Sequence, residues 1–173
     1  MSTRGQKKHV QLIPFDDCDS DLLISWVPSA EFNMLWGGPC YQWPLTREQI
    51  LQHHRDPAIH PFMLIVNQQK TGFIELFQRA EYEVRLCRIL IGPNSSRGQG
   101  LGRRLIQMAV DLGRRLLHAE VISLAVFEHN LAALNCYQAE GFQIIGRDAE
   151  VRQFNGKPWP LIHMEKQLGG KRV

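Results

Sequence analysis

The chain is organised around one stretch, residues 84–116, in which an aliphatic segment, a glycine-rich turn and a long apolar-periodic segment follow one another. Aliphatic and β-branched residues at 84–91 stop at Gly92-Pro93, which is typical of a buried strand. Apolar residues then recur at three- and four-residue spacing over 101–116, which predicts an amphipathic helix. The stretch therefore predicts a strand, a glycine turn and a helix in that order.

The turn of this unit is suited to binding phosphate. A helix begins with unpaired backbone N–H groups and the positive end of its dipole, and glycines let an anionic ligand approach that backbone. Over residues 97–115, five arginines and one aspartate give a net charge of +4, whereas the whole chain carries +3. The positive charge is concentrated at this turn and helix, where it would attract a polyanionic cofactor.

Two well-known phosphate-binding turns fit poorly. A P-loop has Gly-Lys-Ser/Thr entering the helix, but Gly102 is followed by two arginines, so the Mg²⁺-binding hydroxyl is missing. A dinucleotide-binding turn has G-x-G-x-x-G directly after its strand and an acidic residue about 20 positions later. Here the glycines read G-x-G-x-G after a longer connection, although Glu128 could serve as that acid. The sequence therefore excludes a P-loop and disfavours a dinucleotide-binding turn.

A third pattern fits two separate segments. Residues 97–102 read Arg-Gly-Gln-Gly-Leu-Gly and satisfy Gln/Arg-x-x-Gly-x-Gly/Ala. Downstream, the predicted strand at 121–126 is followed by Asn-x-x-Ala-x-x-x-Tyr-x-x-x-Gly-Phe, from Asn130 to Phe142. Together they resemble the two motifs of the GNAT superfamily of N-acyltransferases. The aromatic segment at 36–43 and the chain's C-terminal part are most similar to the branch with ribosomal-protein and aminoglycoside N-acetyltransferases.

This resemblance implies an α+β (α/β) fold: one mixed, mostly antiparallel sheet of about seven strands with helices on both faces. The strands at 84–91 and 121–126 flank a crossover helix and are therefore parallel. In the superfamily they splay apart and hold the pantetheine arm of acetyl-CoA, which implies acetyl-CoA as the co-substrate here. The cofactor-binding residues so implied are Ile89, Leu90, Ile91, Arg97, Gly98, Gln99, Gly100, Leu101, Gly102, Arg103, Asn130 and Tyr137.

The resemblance also implies direct attack of a primary amine on acetyl-CoA in a ternary complex. Tyr137 matches the family's general acid, since a phenol with a pKa of about 10 is protonated at pH 7 and can donate to the departing thiolate. The alternative is an aromatic ring that packs its helix onto the sheet. Glu83 and Glu75 are the candidate bases, and each is equally compatible with a solvated strand carboxylate.

The cysteines suggest no covalent intermediate. Cys87 and Cys136 lie in or beside apolar segments and have no evident His or Asp partner in the sequence, so we expect small buried residues.

Three large aromatic residues, Trp36, Tyr41 and Trp43, lie in one turn-rich segment. They either close an edge of the core or, as the resemblance implies, line the acceptor pocket together with Glu75. The acceptor stays open between a small amine, such as a polyamine, and a protein N-terminal amine. An aminoglycoside would favour a carboxylate-lined pocket, which this segment does not require.

Histidines at 53, 54 and 60 suggest a metal site. Adjacent histidines on a helix point about 100° apart, however, and no nearby carboxylate completes a ligand set, so we expect no metal.

The whole sequence fits a single acyltransferase domain, 1–173, ordered over about 8–168 with loose tails. No apolar run reaches the roughly 18 to 20 residues of a membrane span, and the first residues are polar, so we expect a cytoplasmic protein with no membrane partner.

Four cysteines without a Cys-x-x-Cys pair predict reduced thiols. Asn155-Gly156 predicts a hairpin turn that returns toward Lys166.

Two other functions compete with catalysis. The first is a non-catalytic acyl-CoA sensor or interaction module on the same fold. The second is nucleic-acid binding, suggested by a sequence pI of about 8.8. Because the positive charge is concentrated at the phosphate turn, we expect no nucleic-acid partner. The C-terminal hairpin is also compatible with a homodimer.

Overall fold

A central sheet dominates the computed structural model, which describes residues 8–93, 100–149 and 152–169. The strands are β1 (Val10–Pro14), β2 (Ile59–Val66), β3 (Gln69–Ala80), β4 (Glu83–Ile91), β5 (Val121–Phe127), β6 (Gln143–Asp148), β7 (Gln153–Phe154), β8 (Lys157–Pro158) and β9 (Leu161–Gln167). Seven of them form one sheet in the order β1-β2-β3-β4-β5-β9-β6. Only β4 and β5 pair in parallel, and the other neighbours are antiparallel.

Helices cover both faces of this sheet, because alternate strand residues point to opposite sides. They are α1 (Ser20–Ser25), α2 (Ala30–Gly37), α3 (Arg47–His53), α4 (Leu101–Leu117) and α5 (Leu131–Ala139). Met63 and Phe73 pack on one face with residues of α1, α2 and α3. Leu64 and Ile74 pack on the other face with residues of α4 and α5. The predicted fold, a mostly antiparallel seven-stranded sheet between two helical layers, is confirmed.

The splayed strand pair is also confirmed. β4 and β5 pair only from Glu83 to Arg85, opposite Val121 to Ser123, and then separate. On its other side β4 follows β3, but a bulge interrupts the ladder between the pairs Glu75–Cys87 and Phe73–Leu90. Arg88 lies in this bulge with a φ of 51°, in the left-handed region. The bulge therefore bends β4 where it leaves β5.

Helix α4 begins and ends close to where the apolar period predicts. Its buried stripe consists of Leu101, Leu105, Ile106, Ala109 and Gly113. The residue before its first turn, Gly100, has a φ of 74°, which suits glycine. The predicted cofactor residues Arg97, Gly98 and Gln99 lie outside the described residues.

The C-terminal part differs from the sequence prediction. Asn155 and Gly156 form the predicted turn with φ values of 49° and 74°, but the hairpin joins only the two-residue strands β7 and β8. The long last strand, β9, instead lies between β5 and β6 and pairs with both. No helix among the described residues is long and apolar enough to cross a membrane.

Candidate active site

A cavity of about 960 Å³ lies where β4 and β5 separate. Its walls come from the first turn of α4, the second half of β4, the end of β5, helix α5, and the end of α2 with the turn that follows. The cavity thus connects a helix N-terminus, at one end, with the turn-rich aromatic segment at the other. Most of the sequence-predicted site residues lie along it.

The helix end of the cavity contains the described part of the glycine motif. Gly100, Leu101, Gly102 and Arg103 all line it. No atom of the described residues lies within 4 Å of a Cβ built on Gly100 or Gly102, so these residues leave the backbone of this turn open to a ligand. Arg103 donates to Glu140 Oε1 at 2.6 Å and is more than half exposed. This end of the cavity thus has the first turn of a helix, whose backbone N–H groups lack intrahelical partners, and an arginine that is paired with Glu140, and a helix start of this kind suits an anion.

The middle of the cavity follows the separated edge of β4. Ile89, Leu90 and Ile91 line it, and past Arg85 the described part of β5 makes no ladder pairs with them. A strand edge without a neighbour presents backbone N–H and C=O groups that an extended ligand can pair with. Asn130 also lines the cavity, while its Oδ1 accepts from Ala133 N at 3.3 Å and caps α5.

Tyr137 lies on α5 against this middle part. Its ring is 8% exposed and packs edge-on against Phe142, with the centroids 6.2 Å apart. Its hydroxyl has no hydrogen-bond partner among the described residues, although the side chain lines the cavity. Burial raises the pKa of Tyr137 above its usual value, so the phenol is protonated at neutral pH.

The aromatic segment divides between the cavity and the core. Trp36 lines the cavity, and its Nε1 donates to the carbonyl oxygen of Arg88 at 2.8 Å. Tyr41 is buried behind it and stacks on its indole at 5.7 Å between centroids. Trp43 is 44% exposed and does not line the cavity. Of the three aromatic residues, Trp36 is therefore the one in position to touch a ligand.

Glu75 lies behind the cavity wall in a buried ionic cluster. Its carboxylate is fully buried and accepts hydrogen bonds from His53 Nε2 at 3.0 Å, His54 Nε2 at 3.2 Å and Arg88 Nε. Burial by itself raises the pKa of Glu75, but the two imidazole hydrogen bonds and the Arg88 charge outweigh it and lower the pKa to about 2. Glu75 is thus an ionised carboxylate whose oxygens are already occupied.

The two adjacent histidines were expected to diverge and to lack a carboxylate, and this expectation is wrong. Helix α3 ends at His53 and His54 is its C-cap, so both rings reach Glu75 on the neighbouring strand. Burial lowers the pKa of His53, but hydrogen bonds with Cys40 and Glu75 outweigh it and raise the pKa to about 9. No group of three or more His, Cys, Asp and Glu within the described ranges is arranged to hold a metal ion.

Glu83, the other candidate base, lies away from the cavity. It begins β4, where that strand is still paired with β5, and it does not line the cavity. Its Oε1 accepts from Ser123 Oγ at 2.9 Å and from Arg79 Nη1 at 3.4 Å. Glu83 is thus held at the paired end of β4 and β5, and not at the end where the two strands separate.

Sequence reasoning missed one residue pair and the charge of the lining. Cys40 lines the cavity, and its Sγ lies 3.3 Å from His53 Nδ1. The charged side chains among the described lining residues are all arginines, at 85, 88, 103 and 152. Cys40 and His53 are 13 positions apart and share no periodic signal, so only the folded chain brings them together.

Comparison with known proteins matches a segment that includes most of the cavity lining. Residues 26–142, more than half of the chain, match the family model described as acetyltransferase (GNAT) family. The chain belongs to the GNAT family. Among curated proteins, this GNAT chain is similar to spermidine N(1)-acetyltransferase of Escherichia coli strain K12, at 29% identity over 119 residues. The match covers 65% of this chain but only 61% of that relative's length.

Solved structures extend the likeness to nearly the whole GNAT chain. Spermidine N-acetyltransferase from Vibrio cholerae, in complex with CoA and spermine, is similar with a TM-score of 0.79 at 22% identity, over 91% of this chain and 95% of that one. An aminoglycoside acetyltransferase in complex with coenzyme A is similar with a TM-score of 0.74 at 19% identity, over 92% and 95%. At these identities the likeness shows a shared fold.

Proposed function

We propose that this protein is an N-acetyltransferase that moves an acetyl group from acetyl-CoA to a primary amine. One observation carries the proposal: a single cavity connects the open glycine turn of α4, the separated edge of β4 and the side chain of Tyr137. Membership of the GNAT family supports it, and so do the names of the relatives that are spermidine N-acetyltransferases.

We propose that the phosphates of acetyl-CoA lie at the N-terminus of α4. The open backbone at Gly100, Leu101 and Gly102 and the cation of Arg103 support this position. The predicted contacts of Arg97, Gly98 and Gln99 would extend the same site. The pantetheine arm would then pair with the free backbone of residues 89–91 and pass the side chain of Asn130.

Transfer needs an oxyanion stabiliser and a proton for the departing thiolate. Backbone N–H groups near Leu90 and Ile91 lie at the splayed strand end, where they can polarise the thioester carbonyl. Tyr137 can donate its phenolic proton to the sulfur, because its side chain lines the cavity, its hydroxyl has no competing partner among the described residues and its raised pKa keeps it protonated. Direct attack by the amine then requires no covalent enzyme intermediate.

Neither proposed base is in position for direct proton removal. Glu75 is buried and holds His53, His54 and Arg88, and Glu83 is engaged at the far end of β4. We therefore propose that the amine loses its proton to water. Glu75 would serve the site indirectly by holding Arg88, and Tyr41 would do so by supporting Trp36, the wall of the acceptor end.

Two arginines of the lining are held by carboxylates. Among the described residues that line the cavity four are arginines, but Arg88 pairs with Glu75 and Arg103 pairs with Glu140. Paired arginines present little net charge to a ligand, so they do not disfavour a polycation. Because the relatives are spermidine N-acetyltransferases by name, we propose a small amine such as a polyamine as the acceptor, and we place a protein N-terminal amine second.

The test combines binding and turnover. Thermal unfolding of the purified protein is followed with acetyl-CoA, CoA, NAD and ATP, because a ligand of the folded state raises the melting temperature. A rise with acetyl-CoA and CoA alone, followed by acetylation of at least one amine in a panel of mono-amines, polyamines and peptides, is expected. A rise without transfer to any amine would instead favour an acyl-CoA sensor, and no rise would refute the proposal.

A further inference from the structure

Glu140 lies beside the helix end of the cavity, at the point where α5 ends. It is the C-cap of α5, and its backbone carbonyl oxygen accepts a hydrogen bond from Lys166 Nζ of β9 at 2.7 Å. Its side chain is 8% exposed. The backbone of Glu140 is therefore fixed by a helix end and by a strand, and its carboxylate is largely shielded from solvent.

Two side chains of α4 donate to this carboxylate. Arg103 Nε and Gln107 Nε2 donate to Oε1 of Glu140 at 2.6 Å and 3.3 Å. Because the two donors are four positions apart, they lie on the same face of α4. Burial by itself raises the pKa of Glu140, but these hydrogen bonds outweigh it and lower the pKa, so the carboxylate is ionised at neutral pH.

The contact leaves most of the Arg103 guanidinium available to a ligand. Glu140 uses only Nε, and no described residue accepts from the two terminal nitrogens, which carry all but one of the guanidinium N–H groups. Arg103 lines the cavity, and its side chain is 56% exposed. The planar fork of the terminal nitrogens matches two oxygens of a phosphate group.

At Arg103, orientation should matter more than charge. Arg103 and Glu140 together carry little net charge, so Arg103 favours a phosphate mainly through hydrogen bonds in a fixed direction. An exposed arginine side chain without an anchor loses rotamer freedom when it binds a ligand, and this loss weakens affinity. Because Glu140 holds its Nε, Arg103 has given up much of that freedom before the ligand arrives.

We propose that Glu140 is a positioning residue for the cofactor, which holds Arg103 so that its terminal nitrogens bind a phosphate group of acetyl-CoA. Arg103 touches the cofactor, whereas Glu140 acts through Arg103. The inference rests on the proposed function, because it needs acetyl-CoA as the ligand of this cavity. The pyrophosphate and the phosphate on the ribose of CoA offer the same chemistry, and dephospho-CoA, which lacks the ribose phosphate, distinguishes them.

The chain offers a matched control for the charge of each partner. Arg104 follows Arg103 in the same helix turn, is exposed and does not line the cavity. Glu128 accepts two hydrogen bonds of 2.8 Å from Arg147, and neither of these residues lines the cavity. Replacing Arg104 or Glu128 by alanine therefore removes the same charge from the chain without touching the proposed contact.

Calorimetry of the purified full chain with CoA, at about 0.2 M salt to screen long-range charge effects, tests the inference. Arg103→Ala is expected to weaken the Kd roughly tenfold, and Glu140→Ala roughly threefold. Glu140→Gln keeps an oxygen that can accept from Nε and should stay within about twofold of the wild type, as should Arg104→Ala and Glu128→Ala. In turnover the loss should appear in the KM for acetyl-CoA rather than in kcat, because the phosphates take no part in the transfer.

The double variant separates positioning from a merely structural role. If Glu140 acts through Arg103, the protein with both alanines should bind CoA as Arg103→Ala does alone. A loss from Glu140→Ala that persists without Arg103, or a wild-type Kd in Glu140→Ala, would overturn the inference while the proposed function stands.

Dephospho-CoA identifies the phosphate that Arg103 binds. If the effect of Arg103→Ala disappears with dephospho-CoA, the contact is to the ribose phosphate, and if the effect persists, the contact is to the pyrophosphate. If the wild type binds neither CoA nor acetyl-CoA, the inference and the proposed function fail together.

Discussion

Trp36 Nε1 donates a hydrogen bond to the backbone carbonyl oxygen of Arg88, 52 residues away, at 2.8 Å. The bond joins α2 to the residue of β4 that has a left-handed φ of 51°. It therefore links the aromatic end of the cavity, where we propose that the acceptor binds, to the bulge in β4. Both residues line the cavity, so loss of this bond should weaken ligand binding as well as lower the stability of the fold.

Trp36→Phe keeps an aromatic ring but removes this donor. We expect a loss of about 1–3 kcal/mol in the free energy of unfolding, because a part-buried carbonyl loses its partner, together with weaker acceptor binding. Urea denaturation and the acceptor KM measure the two effects. Trp159→Phe is the control, since Trp159 is equally buried and its indole nitrogen has no partner among the described residues. Equal losses in the two variants would contradict the prediction.

Tyr137→Phe removes the proposed acid without removing a known hydrogen bond. We expect kcat to fall roughly 10²-fold or more, with the melting temperature and the KM for acetyl-CoA little changed. Burial raises the pKa of Tyr137 above its ordinary 10.0, so its ionisation should cause no loss of wild-type activity below pH 10. Steady-state rates across pH, with the exposed Tyr82→Phe as control, test both statements. An unchanged kcat would remove Tyr137 as the acid.

The Glu75 cluster predicts a stability that falls toward acid. In the folded state the pKa of Glu75 is lowered from 4.5 to about 2, so its contribution is complete above pH 4.5 and is lost as the pH falls toward 2. The shift corresponds to about 3 kcal/mol of unfolding free energy. Urea denaturation at several pH values measures it. In Glu75→Gln the free energy of unfolding should change less between pH 4.5 and pH 2. If it falls as steeply as in the wild type, groups other than Glu75 cause the acid loss of stability.

The raised pKa of His53 predicts that the free energy of unfolding falls as the pH becomes alkaline. Its pKa is raised from 6.5 to about 9 in the folded state, so its contribution is complete below pH 6.5 and is lost as the pH rises through 9. His53→Gln keeps a donor toward Glu75 but cannot titrate. The same denaturation series should therefore lose its alkaline slope in this variant and keep its acid slope. A wild-type profile that is flat between pH 6.5 and 9 would contradict this assignment.

Local patterns account for what the sequence predicted correctly. The strand, the glycine turn and helix α4 follow from the apolar period and from glycine placement, which act between near neighbours in the chain. Tyr137 and Asn130 were identified through the resemblance of the segment from Asn130 to Phe142 to the second motif of the GNAT family. The described members of the glycine motif and both of these residues lie in one cavity, as expected.

Long-range contacts account for what was missed. Cys40, His53 and Glu75 are 13 and 22 residues apart, and they meet only because α3 ends at the edge of β3. The bulge at Arg88 and the insertion of β9 between β5 and β6 depend on strand pairing, for which the sequence has no local signal. Glu83 was a candidate base because the sequence does not show its hydrogen-bond partner, Ser123, which is 40 residues away.

The final prediction concerns the phosphate end of the cavity. Gly102 lies in the first turn of α4, and a Cβ built on it meets no atom of the described residues within 4 Å. Gly102→Asp should therefore fit without strain, and its charge should stabilise the helix start slightly, yet it should repel the phosphates of acetyl-CoA. We expect at least a roughly tenfold weaker Kd for CoA in calorimetry and no loss of melting temperature, since 1.4 kcal/mol of repulsion suffices for that factor. Gly146→Asp, which adds the same charge in open space outside the cavity, should leave the Kd unchanged. Equal binding by both variants would mean that the phosphates lie elsewhere.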